Sequence, residues 1–156
     1  MSKKAGTIGD LGTTSFFPSK NLGCFGDGGA IFTNNDALAN LCKSLVNHGM
    51  EKRYHHDRIG MNSRLDSIQA AILNVKLKYL DEYNQLRNAA AEGYDNLLME
   101  IDSIDVPSRS KDSDHIFHQY TIRIQENRDG LKDYLAQFSI PSMIYYPIPI
   151  HQQKAF

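Results

Sequence analysis

Lys20 is the residue whose type and surroundings could do chemistry. It lies in Ser15-Phe16-Phe17-Pro18-Ser19-Lys20-Asn21, an apolar stretch bent by proline, with Gly23, Gly26, Gly28 and Gly29 crowded behind it. Ser15 places a hydroxyl five residues before the amine. A lysine that must form an imine with an aldehyde needs such a setting. Phe16 and Phe17 would strip water from the ammonium and free its lone pair. The glycines would let backbone approach a ring and a phosphate closely. Taken alone, the same lysine also reads as an exposed turn residue.

The elements that must position Lys20 alternate as in an α/β protein. Thr13 to Phe17 reads as a short strand leading into the lysine loop, and Gly29 to Thr33 as a second, closed by Asn34-Asn35. Asp36 to Asn47 is a predicted helix with Leu38, Leu41, Cys42, Leu45 and Val46 on one face and Gly49 as its stop. Residues 50–61 form a polar loop rich in His and Arg, and such loops often carry function. Ser63-x-x-Asp66 reads as a helix start. From Leu65 through Ile68, Ile72, Val75, Tyr79, Tyr83, Leu86, Ala90, Tyr94 and Leu97 to Ile101, apolar residues recur at spacings of three and four. Beyond this long helix the pattern predicts a strand over 120–124, a helix over 130–138 and a strand over 140–146 ended by Pro147 and Pro149. The Tyr stripe reads as packing.

Composition narrows the class. Lys plus Arg is 17 and Asp plus Glu is 18, so nothing points to nucleic acid or a membrane surface. No apolar run approaches the roughly 18 residues of a membrane helix. Cys24 and Cys42 form no CxxC and no metal-ligand spacing, and a reducing cytoplasm is the simplest home. Cys42 is expected in the core and Cys24 partly exposed. The six histidines make no HExxH, and adjacent His55 and His56 would point to opposite sides of an extended chain, so no metal is expected. There is no GxxxxGK[ST], and the glycine segment lacks the strand-before, helix-after setting of a dinucleotide fingerprint.

The motifs run in a specific order. Gly9-Asp10, Ser15-Phe16-x-Pro18-x-Lys20-Asn21 and Gly26-Asp27-Gly28-Gly29 are followed by His48-Gly49 and Arg53-Tyr54-His55-His56. Then come Gly60-x-Asn62-x-Arg64-Leu65-Asp66-x-Ile68-Gln69-Ala70-Ala71 and Tyr146-Pro147-x-Pro149-x-His151-x-Gln153. This series resembles the DegT/DnrJ/EryC1/StrS family of sugar-nucleotide aminotransferases, which use pyridoxal 5'-phosphate (PLP). It covers nearly the whole chain and is weakest over about 90–140. The resemblance implies an internal fragment of the fold-type I, aspartate aminotransferase-like α/β fold. Residues 1–62 would be a remnant of the PLP-binding large domain, 63–101 a long interdomain helix and 102–156 an incomplete α/β small domain. Met1-Ser2-Lys3-Lys4 has no apolar segment behind it and does not read as a targeting sequence.

Roles follow from the resemblance residue by residue. Lys20 matches the lysine that binds the cofactor and moves the proton. Ser15 matches the hydroxyl that bonds its phosphate. Asn62 matches an asparagine that reaches the phosphate in the neighbouring subunit, although it also reads as a plain helix N-cap. Arg64 matches either an ion-pair residue or a substrate contact. His55, His56 and Arg58 lie on the loop before it and could touch the sugar nucleotide, as could Tyr146 and His151 in the small-domain loop. The implied reaction takes an amine from an amino acid, usually glutamate, and places it on a keto group of a nucleotide-linked hexose. Arg53-Tyr54-His55-His56 together with the lysine loop looks most like members that aminate C3 of a UDP-linked 2-acetamido-3-keto-hexuronic acid for cell-surface polysaccharide; C4 amination is the alternative. The complete protein would be a homodimer. The carboxylate that pairs with the ring nitrogen and the stacking aromatic belong to the family's upstream half. The second class of reading is therefore an inactive fragment, or one half of a split enzyme.

Overall fold

The computed structural model describes residues 3–156; Met1 and Ser2, the first half of the Met1-Ser2-Lys3-Lys4 start, lie outside the described residues. The chain gathers into two compact units, one running to Tyr83 and the other spanning Asn84–Phe156.

In the first unit, β1 (Gly12–Ser15) pairs antiparallel with β2 (Gly29–Phe32), Gly12 opposite Phe32 and Ser15 opposite Gly29. The predicted first strand stops two residues early because Phe16 and Phe17 enter a turn in which Lys20 N–H donates to Phe17 O at 2.8 Å. Helix α1 (Asp36–Leu45) starts where Asn35 Oδ1 accepts from the amides of Ala37 at 2.9 Å and Leu38 at 3.2 Å. It ends where Gly49, at φ +75°, donates to Ser44 O at 2.9 Å. The 50–61 segment is an irregular hairpin of β3 (Met50–Lys52) and β4 (His55–His56), with Tyr54 at φ +67° between them. An antiparallel bridge joins Asn47 to Asn62. Asn62 is thus not a helix N-cap. Helix α2 (Ser67–Lys76) takes Asp66 as its cap residue, and not Ser63. A 3-10 turn (Leu77–Tyr79) leads from it into α3 (Leu80–Leu98).

The second unit holds most of α3, then β5 (Ile104–Asp105) paired antiparallel with β6 (Arg123–Ile124), then α4 (Arg128–Gln137). The predicted strand over 120–124 shrinks to its last two residues, because β5 offers only two residues to pair with. The predicted strand over 140–146 is absent. Its backbone has no partner strand among the described residues, and Pro141 cannot donate to a ladder. A knot of side chains holds this unit together. Tyr120 Oη donates to Asp95 Oδ1 at 2.7 Å, Arg109 meets the same carboxylate at 2.5 Å, and Tyr94 stacks on Tyr120 with centroids 5.0 Å apart. Arg109 also lies 4.9 Å over Phe117, which is buried. The Tyr120–Asp95 hydrogen bond acts on its two partners in opposite senses. The Tyr120 hydroxyl, then Arg109, holds Asp95 below the ordinary carboxylate range against the opposing effect of burial. Burial, then the Asp95 charge, pushes the Tyr120 phenol up to about 12.

Most of the apolar stripe read from sequence is not covered within this chain, Leu65 and Ile72 being half-buried. Ile68, Val75, Leu86 and Leu97 are 60–74% exposed, while the buried helix residues are Leu73 and Ala91, one position off the stripe. The half-buried Gln69, Lys76, Leu80, Arg87 and Asp95 share that inner face with them. Cys42, expected in the core, is half-buried; Cys24, expected partly exposed, is fully buried. The chain exposes 13030 Å². Two separate compact domains of half its mass would together expose about 9,500 Å² by the usual scaling. The exposed surface of this chain includes large apolar side chains such as Ile68, Val75, Leu86 and Leu97.

Candidate functional site

The lysine loop is built from backbone hydrogen bonds. Phe16 N–H donates to Gly28 O and Cys24 N–H to Phe16 O, both at 2.8 Å, so the 16–20 turn is laced to the glycine segment. The buried Cys24 Sγ lies 3.0 Å from Phe16 O and 2.9 Å from Gly26 O. The glycines serve this lacing. A Cβ on Gly23 would meet Pro18 O at 2.5 Å, and one on Gly28 would meet Cys24 Sγ and Leu65 Cδ1 at 3.0 Å. At Gly23 and Gly28 the missing Cβ lets the chain approach itself closely. Lys20 is half-buried, as is Phe16, but Phe17 is 50% exposed, so the two rings do not seal the amine.

Ser15 Oγ accepts from Phe17 N–H at 3.2 Å. That bond uses a lone pair and leaves the O–H to donate, so Ser15 can shape the turn and also bind an anion. The loop therefore offers a primary amine and a hydroxyl donor on one backbone-locked turn. That is the donor set a phosphorylated aldehyde requires, and the residues present fit PLP.

The other candidates divide. Arg58 Nη1 donates to the buried Ser44 Oγ at 2.9 Å and to Glu51 Oε1 at 2.6 Å. It pins the 50–61 segment to α1. Arg64 Nη1 donates to Asn47 Oδ1 at 3.0 Å. His56 Nδ1 meets His48 O at 2.9 Å, while His55 is exposed beside it on β4. A cleft of about 1010 Å³ opens between β2 and α1, lined by Thr14, Asp27, Lys43, Ser63 and Arg64 among others. Lys20 and Ser15 are not among its lining residues, so this cleft and the candidate amine do not coincide. Tyr146, 78% exposed, and His151, also exposed, belong to the second unit. Sequence reasoning missed Ser44, Asn47, Glu51 and Lys76, and it quoted Gln69 without a role. Only Ser44, a polar residue inside a helix pattern, carried any signal.

A family model described as the DegT/DnrJ/EryC1/StrS aminotransferase family matches residues 1–156. The chain belongs to this family. It is 46% identical over 156 residues to the pleiotropic regulatory protein of Geobacillus stearothermophilus, covering 99% of this chain and 42% of that protein. It is 43% identical over 153 residues to the UDP-2-acetamido-2-deoxy-3-oxo-D-glucuronate aminotransferase of Pseudomonas aeruginosa, covering 98% and 42%. Among solved structures, NtdA from Bacillus subtilis with bound cofactor PMP matches with a TM-score of 0.81 and 35% identity, over 93% of this chain and 35% of that one. The α/β aminotransferase fold read from the motifs is therefore the observed one. The chain spans about two fifths of the length of the curated relatives it matches. Among the described residues, no helix is long and apolar enough to cross a membrane.

Proposed function

We propose that this chain carries the cofactor-anchoring lysine of a PLP-dependent aminotransferase acting on a nucleotide-linked keto-sugar. The observation that carries the reading is the Lys20 turn, where a half-buried amine and the Ser15 hydroxyl sit on one hydrogen-bonded loop. PLP, when bound, supplies the electron sink that labilises a proton next to an amine. Lys20 would hold its aldehyde and is the amine that would carry that proton. Ser15 donates to its phosphate. Residues up to 62 then belong to the cofactor-binding domain, and residues 102–156 to the smaller domain.

The amino donor is an amino acid, glutamate first. The acceptor is a UDP-linked 2-acetamido-3-keto-hexuronic acid aminated at C3, for polysaccharide assembly in the cytoplasm. The name of the Pseudomonas aeruginosa relative and the cationic 53–64 segment support this choice. Arg64 is assigned to the acidic substrate, since it is a guanidinium whose Nη1 donates to the neutral Asn47 amide. His55, with Tyr146 and His151, are further substrate contacts in this reading; Arg58 and His56 act by holding their loop. Asn62 serves the phosphate of a second subunit in a homodimer. The test is chemical. Incubation with PLP and borohydride, followed by peptide mapping, should place the pyridoxyl group on Lys20. Preferential labelling of another lysine refutes the assignment.

A further inference from the structure

We propose that Gln69 and Lys76 of α2 are positioning residues that hold the Lys20 turn in its reactive shape. The inference rests on Lys20 being the cofactor lysine. The two residues are seven apart, two turns of helix, so they share one face, with Leu73 buried between them. Gln69 Oε1 accepts from Phe25 N–H at 2.8 Å. Lys76 Nζ donates to Gly23 O at 2.5 Å and stands 5.3 Å over the Phe25 ring. Both contacts end on the backbone of the segment that laces the lysine turn, through the Cys24–Phe16 and Phe16–Gly28 bonds.

Apolar burial in this segment is confined to Cys24 and the half-buried Leu22; Phe25, its largest side chain, is 75% exposed, and Gly23, Gly26, Gly28 and Gly29 add no side chains to pack. A glycine-rich loop loses much conformational freedom on ordering and needs fixed contacts to oppose that loss. Cys24 supplies one contact from inside; Gln69 and Lys76 supply the other two from the helix. Gly26 makes room for the amide, since a Cβ there would approach Gln69 Nε2 to 3.1 Å. The positions of Gln69 and Lys76 thereby set where the backbone of Phe16 to Lys20 can lie, although neither touches the amine.

The experiment compares the chain with Gln69→Leu, which keeps bulk and removes the acceptor, and Gln69→Glu, which keeps an acceptor oxygen. Each is treated with PLP and borohydride, and the label on Lys20 is taken relative to the label on Lys78 and Lys132. Amide hydrogen exchange is followed over 16–28, with 36–56 as the internal reference. Loss of one such bond corresponds to about a fivefold change in the ordered population. We expect Gln69→Leu to cut the Lys20 share about fivefold and to speed exchange over 16–28 alone, with Gln69→Glu restoring both. Faster exchange with an unchanged Lys20 share overturns the positioning role, as does failure of Gln69→Glu to restore it. If the unsubstituted chain labels elsewhere, the functional reading fails instead, and the exchange data still report whether the clamp holds the loop. If Gln69→Leu loses protection throughout, Lys76→Met is judged in the same way. Global loss in both variants makes these contacts general stabilisers and overturns the inference.

Discussion

Replacing Tyr120 with Phe removes one hydroxyl and the 2.7 Å hydrogen bond it donates to Asp95. The acceptor carboxylate is 18% exposed and keeps Arg109 at 2.5 Å. A hydrogen bond to a charged group contributes about 1.5–3 kcal/mol. With Arg109 retained and water able to reach the site, the lower end applies, about 1.5 kcal/mol. The ring remains stacked on Tyr94, so the loss belongs to the hydroxyl. For a unit of this size that corresponds to a melting temperature lower by about 6–12 °C. The pH dependence has two limbs. Asp95 is held below its ordinary value of 3.8, so its stabilisation is full above that value and is lost as pH falls through the lower folded one. Tyr120 is raised from 10.0 to about 12, so its stabilisation is full below 10.0 and is lost as pH rises towards 12. Tyr120→Phe should abolish the alkaline limb and make the acid limb shallower. Thermal unfolding followed by circular dichroism on Tyr120→Phe, Asp95→Asn and the double variant gives the coupling directly. A coupling near zero, or an alkaline limb that survives in Tyr120→Phe, refutes the reasoning.

Three further outcomes are expected. The isolated chain should self-associate, because Ile68, Val75, Leu86 and Leu97 lie exposed along α2 and α3; light scattering showing a monodisperse monomer at tens of micromolar, roughly where weak specific association begins, would oppose this. Arg58→Met should destabilise the 50–61 segment by about 1–3 kcal/mol, because it leaves the buried Ser44 hydroxyl without its donor and removes the Glu51 contact; unchanged hydrogen exchange there contradicts it. The 156-residue chain alone, given PLP, glutamate and a UDP-keto-sugar, should form 2-oxoglutarate far more slowly than about 1 per second, since the family resemblance places the carboxylate that pairs with the ring nitrogen upstream of Lys20; ordinary turnover would show that this chain supplies that group itself.

The family and the α/β class were legible in the residues themselves, and Lys20 stood out there as the candidate amine. Ser15, Lys20 and the glycine segment form a local pattern whose spacing survives any folding detail, and helix α1 announces itself through Asn35, its apolar period and Gly49. What each neighbouring residue does was decided only by tertiary contact. Arg58 reads as a loop residue that could touch the sugar nucleotide, and Ser44 and Glu51, seven or more residues away, engage it. Asn62 reads as a cap, yet its backbone bridges to Asn47. The glycines read as room for a ligand, and at Gly23 and Gly28 they also admit Pro18 O and Leu65 of the chain itself. The long apolar stripe reads as packing on a helix longer than a local core needs, and within this chain the face of α2 that is covered is the one bearing Gln69, Leu73 and Lys76. Periodicity reports that a helix has an apolar side. It cannot report which body of protein covers that side, because burial depends on residues distant in the chain. Here the loop carrying Lys20 found its support on the helix's polar edge, through hydrogen bonds that no spacing in the sequence encodes.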